Sequence, residues 1–339
     1  MKILTGDIGG TNARLSIFKT PAGQAPTPLA HRRYKTNDFD SPIALVALFL
    51  KEIEAAEPGS SKEIDGLVFA VGGPVLDNRF SVSMNITWPA FTGEELKTHF
   101  GFKFARLVND VEALGYSTEF IQKEKVISFN PKAQPYPNGN VLIMGIGTGL
   151  GTCLVIKENG KTLKVMASEG GYIPVPCTED RDYDLQAFIR EKLNYQPNRF
   201  VEITVICSGP GLVLVHEFVC KRMNKEMVSS APEEILLQKS DERVKETIKF
   251  WFHTFRLSIC NLMTITLPTG GLFIVSGFLL SVLEAASEYK NELLDDFMAK
   301  LLLREHILPI LETALVGVSL EPEALTHLGC LKVAELSSC

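Results

Sequence analysis

Two short runs carry the residue types that phosphate chemistry needs: Gly6-Asp7-Ile8-Gly9-Gly10-Thr11-Asn12-Ala13-Arg14 and Gly145-Ile146-Gly147-Thr148-Gly149-Leu150-Gly151. Glycine admits φ > 0 and lets main-chain N–H groups come close to an anion. One such loop opens each half of the chain, so the pair is suited to holding a triphosphate between two lobes. Asp7 suits a hydrated Mg²⁺, which is bound through few carboxylates and keeps its waters. A third site is Asn109-Asp110, after the apolar run Phe104–Val108. An Asp at the C-terminal end of a strand, where a helix begins, lies at the usual ligand crevice of α/β folds. The plainer reading of Asp110 is a helix N-cap. Glu169-Gly170-Gly171 and the glycine-framed run Gly270–Gly277 are weaker candidates. A turn and close backbone packing would account for them equally well.

The surrounding elements give these residues places. Each glycine loop joins two β-rich stretches, Lys2–Leu4 with Leu15–Phe18, and Val141–Met144 with Cys153–Ile156, which predicts two hairpins. Further strands are expected at Arg32–Lys35, Gly66–Val71, Phe104–Val108, Leu163–Ala167, Leu272–Val275 and Ala314–Val318. Ser41-Pro42 predicts a helix start, and Ile43, Val46, Ala47, Leu50 and Ile53 recur at helical spacing. Thr92 with Glu95 forms a capping box, and Asp241 caps one long helix over 241–266. A shift of 138 residues lays Ile8 on Ile146 and Leu15–Phe18 on Cys153–Ile156, which resembles an internal duplication but is too short to prove one.

With 339 residues, 45% of them hydrophobic and 22% charged, the chain suits two soluble globular domains. The net charge of −6 argues against nucleic acid or a membrane surface as partner. The seven cysteines are odd in number and without a Cys-x-x-Cys pair, which argues against disulfide frameworks and zinc sites and for a reducing cytoplasm. The N-terminus enters a strand at once, so no signal peptide is expected. Gly270–Ala286 is apolar but interrupted by Gly277 and Glu284, and it reads as a buried strand and helix. Gly160-Lys161-Thr162 lacks the glycine a P-loop needs at position 155, and Leu150 breaks a dinucleotide fingerprint. His216-Glu217 lacks the second histidine of a zinc-protease helix, and the six histidines are scattered along the chain.

Taken together, the stretches GDIGGTNARL, NITW, VNDVEAL, GIGTGLGT, SEGGY, SGPGL and TGGLFIVSG resemble the bacterial glucokinase family of the non-zinc type. That family lies within the superfamily of hexokinases, actin and heat-shock ATPases. The resemblance spans nearly the whole chain in order. It implies a two-lobed actin-like ATPase fold (duplicated ribonuclease-H-like) with an interlobe cleft. The small α/β domain would be 1–120 plus 319–339 and the large one 121–318. The implied reaction is ATP-dependent phosphorylation of a hexose 6-hydroxyl, glucose to glucose 6-phosphate. The alternatives are a kinase for another sugar or a sugar-binding regulator with little turnover.

The resemblance makes Asp110 the catalytic base, with Asn85, Asn109, Glu169, Tyr172 and Thr204 at the sugar positions. ATP would contact Gly9, Gly10, Thr11, Asn12, Arg14, Gly145, Gly147, Thr148, Gly149 and Gly151, with Gly271 and Gly277 near the adenosine. Asp7 would hold Mg²⁺ indirectly. A cytoplasmic homodimer is expected.

Three positions depart from the family's pattern. Tyr172 stands where the family has histidine after Glu-Gly-Gly, and Thr204 stands where it has a sugar-binding glutamate. The nearest acid is Glu202, two residues upstream. Near the C-terminus the family's Asn-Pro-Gly-Leu-Leu-Gly is replaced by Glu321-Pro322-Glu323-Ala324-Leu325-Thr326. Each lost charged hydrogen bond to a sugar costs about 1.5–3 kcal/mol, so altered sugar selectivity is expected.

Overall fold

The computed structural model describes the chain apart from residues 22–23, 84–85, 301–305 and 338–339. It divides into two compact units, Met1–Ile121 with Glu323–Cys339, and Gln122–Pro322. The divisions fall after residues 121 and 322, against expected breaks after 120 and 318.

The first unit is built on β1 (Lys2–Ile8), β2 (Asn12–Lys19), β3 (Thr27–Lys35), α1 (Pro42–Ala56) and β4 (Gly66–Val71). There follow β5 (Val75–Leu76), β6 (Arg79–Phe80), β7 (Phe91–Thr92), α2 (Gly93–Phe100), β8 (Phe104–Asn109) and α3 (Asp110–Tyr116). Its main sheet has the order β3-β2-β1-β4-β8. The first three strands form an antiparallel meander, and β4 and β8 continue it in parallel with β1. Every residue of β4 is buried, as its unbroken run Gly-Leu-Val-Phe-Ala-Val requires of a strand covered on both faces.

Helix α1 starts as its sequence indicates, with Ser41 Oγ accepting the Ala44 N–H at 3.2 Å and Pro42 in the first turn. Its buried stripe is Leu45, Val46, Phe49 and Ile53, while Ala47 faces out. The stripe is therefore rotated from the expected set, because the larger Leu45 and Phe49 side chains bury more apolar surface. The Thr92–Glu95 capping box forms at α2. The small sheet β5-β6-β7 has only two residues per strand and no periodicity to betray it. The C-terminal helix (Pro322–Ser337) packs Cys330, Leu331, Val333 and Ala334 against Ile3, Val68, Ala70 and Val108.

The second unit contains β9 (Val126–Ser128), β10 (Val141–Ile146), β11 (Leu150–Glu158), β12 (Lys161–Ser168), α4 (Asp180–Lys192), α5 (Ile203–Ile206), α6 (Gly209–Arg222) and α7 (Pro232–Leu237). It continues through α8 (Glu242–Thr266), β13 (Gly271–Val275), α9 (Gly277–Ala285), α10 (Lys290–Ala299), α11 (Leu308–Leu311) and β14 (Val316–Ser319). The sheet order is β12-β11-β10-β13-β14-β9. Its first five strands repeat the pattern of the first unit, an antiparallel meander continued by two parallel strands. Strand β9 is the addition, antiparallel to β14. Asp241 caps the 25-residue α8 through the Arg243 N–H, and Trp251, Phe250 and Phe255 on that helix anchor the core. The Gly270–Ala286 run is β13 and α9, and no helix among the described residues is long and apolar enough to cross a membrane.

The 138-residue shift holds for the first strand of each hairpin and fails for the second. Ile8 pairs with Ala13, but Ile146 pairs with Leu150, so the second turn is one residue shorter. In the frame of the sheet Leu15 matches Thr152, a shift of 137, rather than Cys153. The Gly160 run is a tight hairpin turn, with Asn159 and Gly160 both at positive φ (51° and 75°).

Candidate active site

In the first unit the candidate residues lie at one end of adjacent parallel strands. Register places Asp7 beside Ala70, and Val71 beside Asn109, so Asp7 and Asp110 are brought to the same edge by β1, β4 and β8. Asp110 is not the helix cap. Asn109 caps α3, its Oδ1 accepting the N–H groups of Val111 at 2.9 Å and Glu112 at 3.2 Å, while its Nδ2 donates to the Gly73 carbonyl at 3.1 Å. Asp110 Oδ1 accepts the Val111 N–H at 2.9 Å. Its Oδ2 lies on the side of Gly72, where a Cβ would stand 3.5 Å from that oxygen and 3.7 Å from the Gly9 Cα. Burial, and then the negative charge of Asp7, push the Asp110 carboxyl up to about 6.

Asp7 is also raised, by burial, against the opposing pull of Arg14. Arg14 Nη1 donates to Asp7 Oδ2 at 2.9 Å, and its Nη2 reaches Glu323 at 3.0 Å. The altered C-terminal run thus supplies a second carboxylate to Arg14. Glu321 of that run pairs within the second unit with Lys125 at 3.1 Å. The first glycine loop is braced by Thr36, whose Oγ1 donates to the Gly9 carbonyl at 2.6 Å and whose N–H donates to the Thr11 carbonyl at 3.1 Å. Asn12 Oδ1 accepts from Arg33 at 3.2 Å.

The second loop is held from three directions. The Gly209 N–H donates to the Gly147 carbonyl at 2.9 Å, Ser276 Oγ donates to the Ile146 carbonyl at 2.7 Å, and Thr204 Oγ1 accepts the Leu150 N–H at 2.8 Å. A turn bond from Gly147 N–H to the Gly149 carbonyl, 2.9 Å, closes it. Gly9, Gly147 and Gly149 are all outside the left-handed region, so positive φ is not why these positions are glycine. At Gly147 an added Cβ would meet nothing within 4 Å, so the space is open to a ligand and the fold does not demand glycine there. Gly277 is equally open, whereas Gly271 holds a φ of +125° that side chains resist. Gly145 and Gly151 pair across the hairpin.

Of the expected sugar residues, Asn85 lies outside the described residues. Glu169 is exposed and precedes the short helical turn Gly170–Tyr172, where Tyr172 is 53% exposed. Thr204 sits in α5 with its hydroxyl engaged by the loop. Glu202 is buried and bound by Arg199, Nη2 at 3.1 Å, and by the Tyr195 hydroxyl at 3.3 Å. Sequence reasoning missed the braces Thr36 and Ser276, because a lone Thr or Ser far from the loop carries no signal of its own. The histidines are less scattered than their spacing indicates: His31 and His327 both bond Ser16 Oγ, at 2.9 and 3.4 Å. His216 is a core residue bonded to Thr247 at 2.9 Å.

The donor chemistry fits magnesium: Asp7 is one hard-oxygen carboxylate at the end of a strand with a glycine loop beside it, as a cation largely held by waters and phosphates needs. The five-stranded pattern repeated in the two units, with a glycine loop in the first hairpin of each, is the plan of the actin-like ATPase fold.

The comparisons with known proteins agree with that class. The glucokinase family model matches residues 4–319. A glucokinase of Nostoc punctiforme is 26% identical over 95% of each chain, and one of Escherichia coli is 25% identical over 68% of this chain and 66% of its own. Glucokinase structures from an Antarctic psychrotroph (TM-score 0.77, 20% identity, 99% of each chain) and from Balamuthia mandrillaris with glucose (0.79, 21%, 98% and 93%) share the fold. A glucokinase of Streptomyces griseus with glucose and AMPPNP does so more distantly (0.65, 14%, 99% and 100%). The chain belongs to the glucokinase family, and it is a hexose kinase.

Proposed function

We propose that this protein transfers the terminal phosphoryl group of ATP to the 6-hydroxyl of a hexose, glucose first among them. The observation that carries the reading is the Asp110 carboxylate, half-buried beside the first glycine loop with its pKa raised to about 6. A sugar hydroxyl is a poor nucleophile, and the oxygen gains reactivity as a carboxylate accepts its proton. At neutral pH most Asp110 is ionised and ready to accept, yet its basicity exceeds that of an ordinary aspartate. The 6-oxygen forms its bond to the γ-phosphorus as the bond to the β-phosphate oxygen breaks; the proton goes to Asp110 Oδ2 and ADP leaves.

Phosphoryl transfer depends chiefly on alignment and charge neutralisation. In the second unit the N–H groups of Thr148 and Gly149, which take no part in the loop's own bonds, are the fixed donors; in the first, Asp7 is the residue that would hold Mg²⁺ through its waters. Bound magnesium neutralises charge on the phosphate oxygens. Arg14 is tied to Asp7 and Glu323, which keeps its charge beside the first loop. Asn109, fixed by its capping bonds, retains one amide N–H for a sugar hydroxyl.

A second reading, a different preferred hexose, is favoured by the rim: Thr204 is bonded to the loop and Glu202 to Arg199. Initial rates across glucose, mannose, fructose and the amino sugars, with ADP release as readout, test both. Turnover highest on glucose supports the first reading, turnover highest on another hexose supports the second, and no turnover on any sugar rejects both.

A further inference from the structure

Thr204 occupies a joint between two parts of the second unit. Its Oγ1 accepts the Leu150 N–H at 2.8 Å, at the point where the glycine loop becomes β11. A Cβ on Gly149 would stand 3.1 Å from the same oxygen, so the hydroxyl lies directly under the loop. The loop's other internal bonds use the Gly147 N–H and carbonyl and the Ile146 carbonyl, and the Thr148 and Gly149 N–H groups take no part in them.

The chain leading into α5, just before Thr204, is a short strand-like segment. Ile203 donates to the Ile173 carbonyl at 3.0 Å, Val175 donates to the Val201 carbonyl at 2.9 Å, and Pro174 bridges Glu202. On the other side, Gly171 presses on Leu150 so closely that a Cβ would lie 2.0 Å from its carbonyl oxygen, and the Gly170 N–H reaches Thr152 Oγ1 at 3.2 Å. The segment bearing Glu169 and Tyr172 packs against Leu150, and the Thr204 hydroxyl bonds the same residue.

We propose that Thr204 is a positioning residue for the phosphate-binding loop: its hydroxyl fixes Leu150, and with it the direction of the Thr148 and Gly149 N–H groups toward the nucleotide. This rests on reading the 147–149 loop as the phosphate cradle. Thr204 acts on nucleotide affinity and alignment rather than on the sugar.

The test compares Thr204→Val, which keeps the shape and removes the acceptor, with Thr204→Ser, which keeps the acceptor. Calorimetry with Mg·ATP and steady-state kinetics on the full chain give the readouts. Thr204→Val raises the Kd and KM for ATP about five- to tenfold, the weight of one hydrogen bond, with glucose KM unchanged within twofold. Thr204→Ser restores wild-type values. Should the valine variant fail to fold, Thr204→Ala replaces it with the same expected outcome. ATP affinity equal to wild type in the folded valine or alanine variant overturns the proposal, as does a rise confined to the glucose KM. If the wild-type protein itself binds no Mg·ATP, the cradle reading fails and the proposal with it.

Discussion

The charge of Asp7 raises the pKa of Asp110 across a single intervening strand, β4. The residue expected to meet magnesium and the residue expected to take the sugar's proton are thus not independent. Arg14, bonded to Asp7 at 2.9 Å, draws Asp7 the other way, down from the value burial alone would give.

Replacing Asp110 with Asn should lower kcat by about 10²–10⁴-fold, the usual worth of a general base, while glucose KM stays within a few-fold. In the wild type, kcat/KM should fall tenfold per pH unit below about 6, where Asp110 becomes protonated. A pH profile that stays flat down to pH 4.5 would remove Asp110 from the chemistry.

Stability should respond to pH through two groups with opposite signs. Asp110 has a folded pKa, about 6, above its unfolded value, so the folded state holds the extra proton and stability falls as pH rises from about 4 to 6. His327 is held down to about 4 by burial, then by His31 and Arg14, so the unfolded state takes the proton first. Its contribution is intact above pH 6.5 and is lost as pH falls toward 4. Asp110→Asn should raise the Tm at pH 7 by ~2–4 °C and leave it unchanged near pH 3. His327→Gln should flatten the loss between pH 6.5 and 4. Thermal melts across pH decide both.

Gly147→Val should fold, since the new side chain meets no neighbour near its Cβ, yet it should weaken Mg·ATP binding by about tenfold or more because it fills the space a phosphate needs. Melting temperature and calorimetric affinity measured on one preparation check the two halves of this claim. A folded variant with unchanged affinity would place the nucleotide elsewhere.

Tyr172→Phe removes one neutral hydrogen-bonding group from an exposed side chain beside Glu169. If the phenol reaches the sugar, glucose KM should rise about two- to tenfold with kcat nearly constant, the pattern of binding shared by ground state and transition state. Steady-state kinetics with Thr204→Ser as a control separates this effect from a disturbance of the loop.

Much of the frame was legible because it depends on local signals. Ser41-Pro42, the Thr92–Glu95 box and Asp241 each mark a helix start through their own side chains, and the unbroken apolar run of β4 announces a strand buried on both faces. The strand-end positions of Asp7 and Asp110 followed from the same signals. What could not be read were long-range partners. Nothing in the residues around 204 says that the hydroxyl meets Leu150, or in those around 36 that it meets Gly9. The division of capping between Asn109 and Asp110 depends on backbone angles that either residue could adopt. The slip in the 138-residue shift came from one missing turn residue, which leaves both hairpins looking alike to any fixed offset.

The two hairpins place different things at one point of the repeated sheet. Where the first sets Asp7 against Arg14 across the ladder, the second sets Gly145 against Gly151. One rung carries an ion pair, and the other has only main chain. The two halves of the repeat therefore differ in chemistry at this rung, and neither hairpin is a spare copy of the other. On the proposed reading of the two loops, exchanging them would set a carboxylate beside the second loop's amides and take Asp7 from the first. A repeat in the sheet thus carries no repeat of the side chains at this rung.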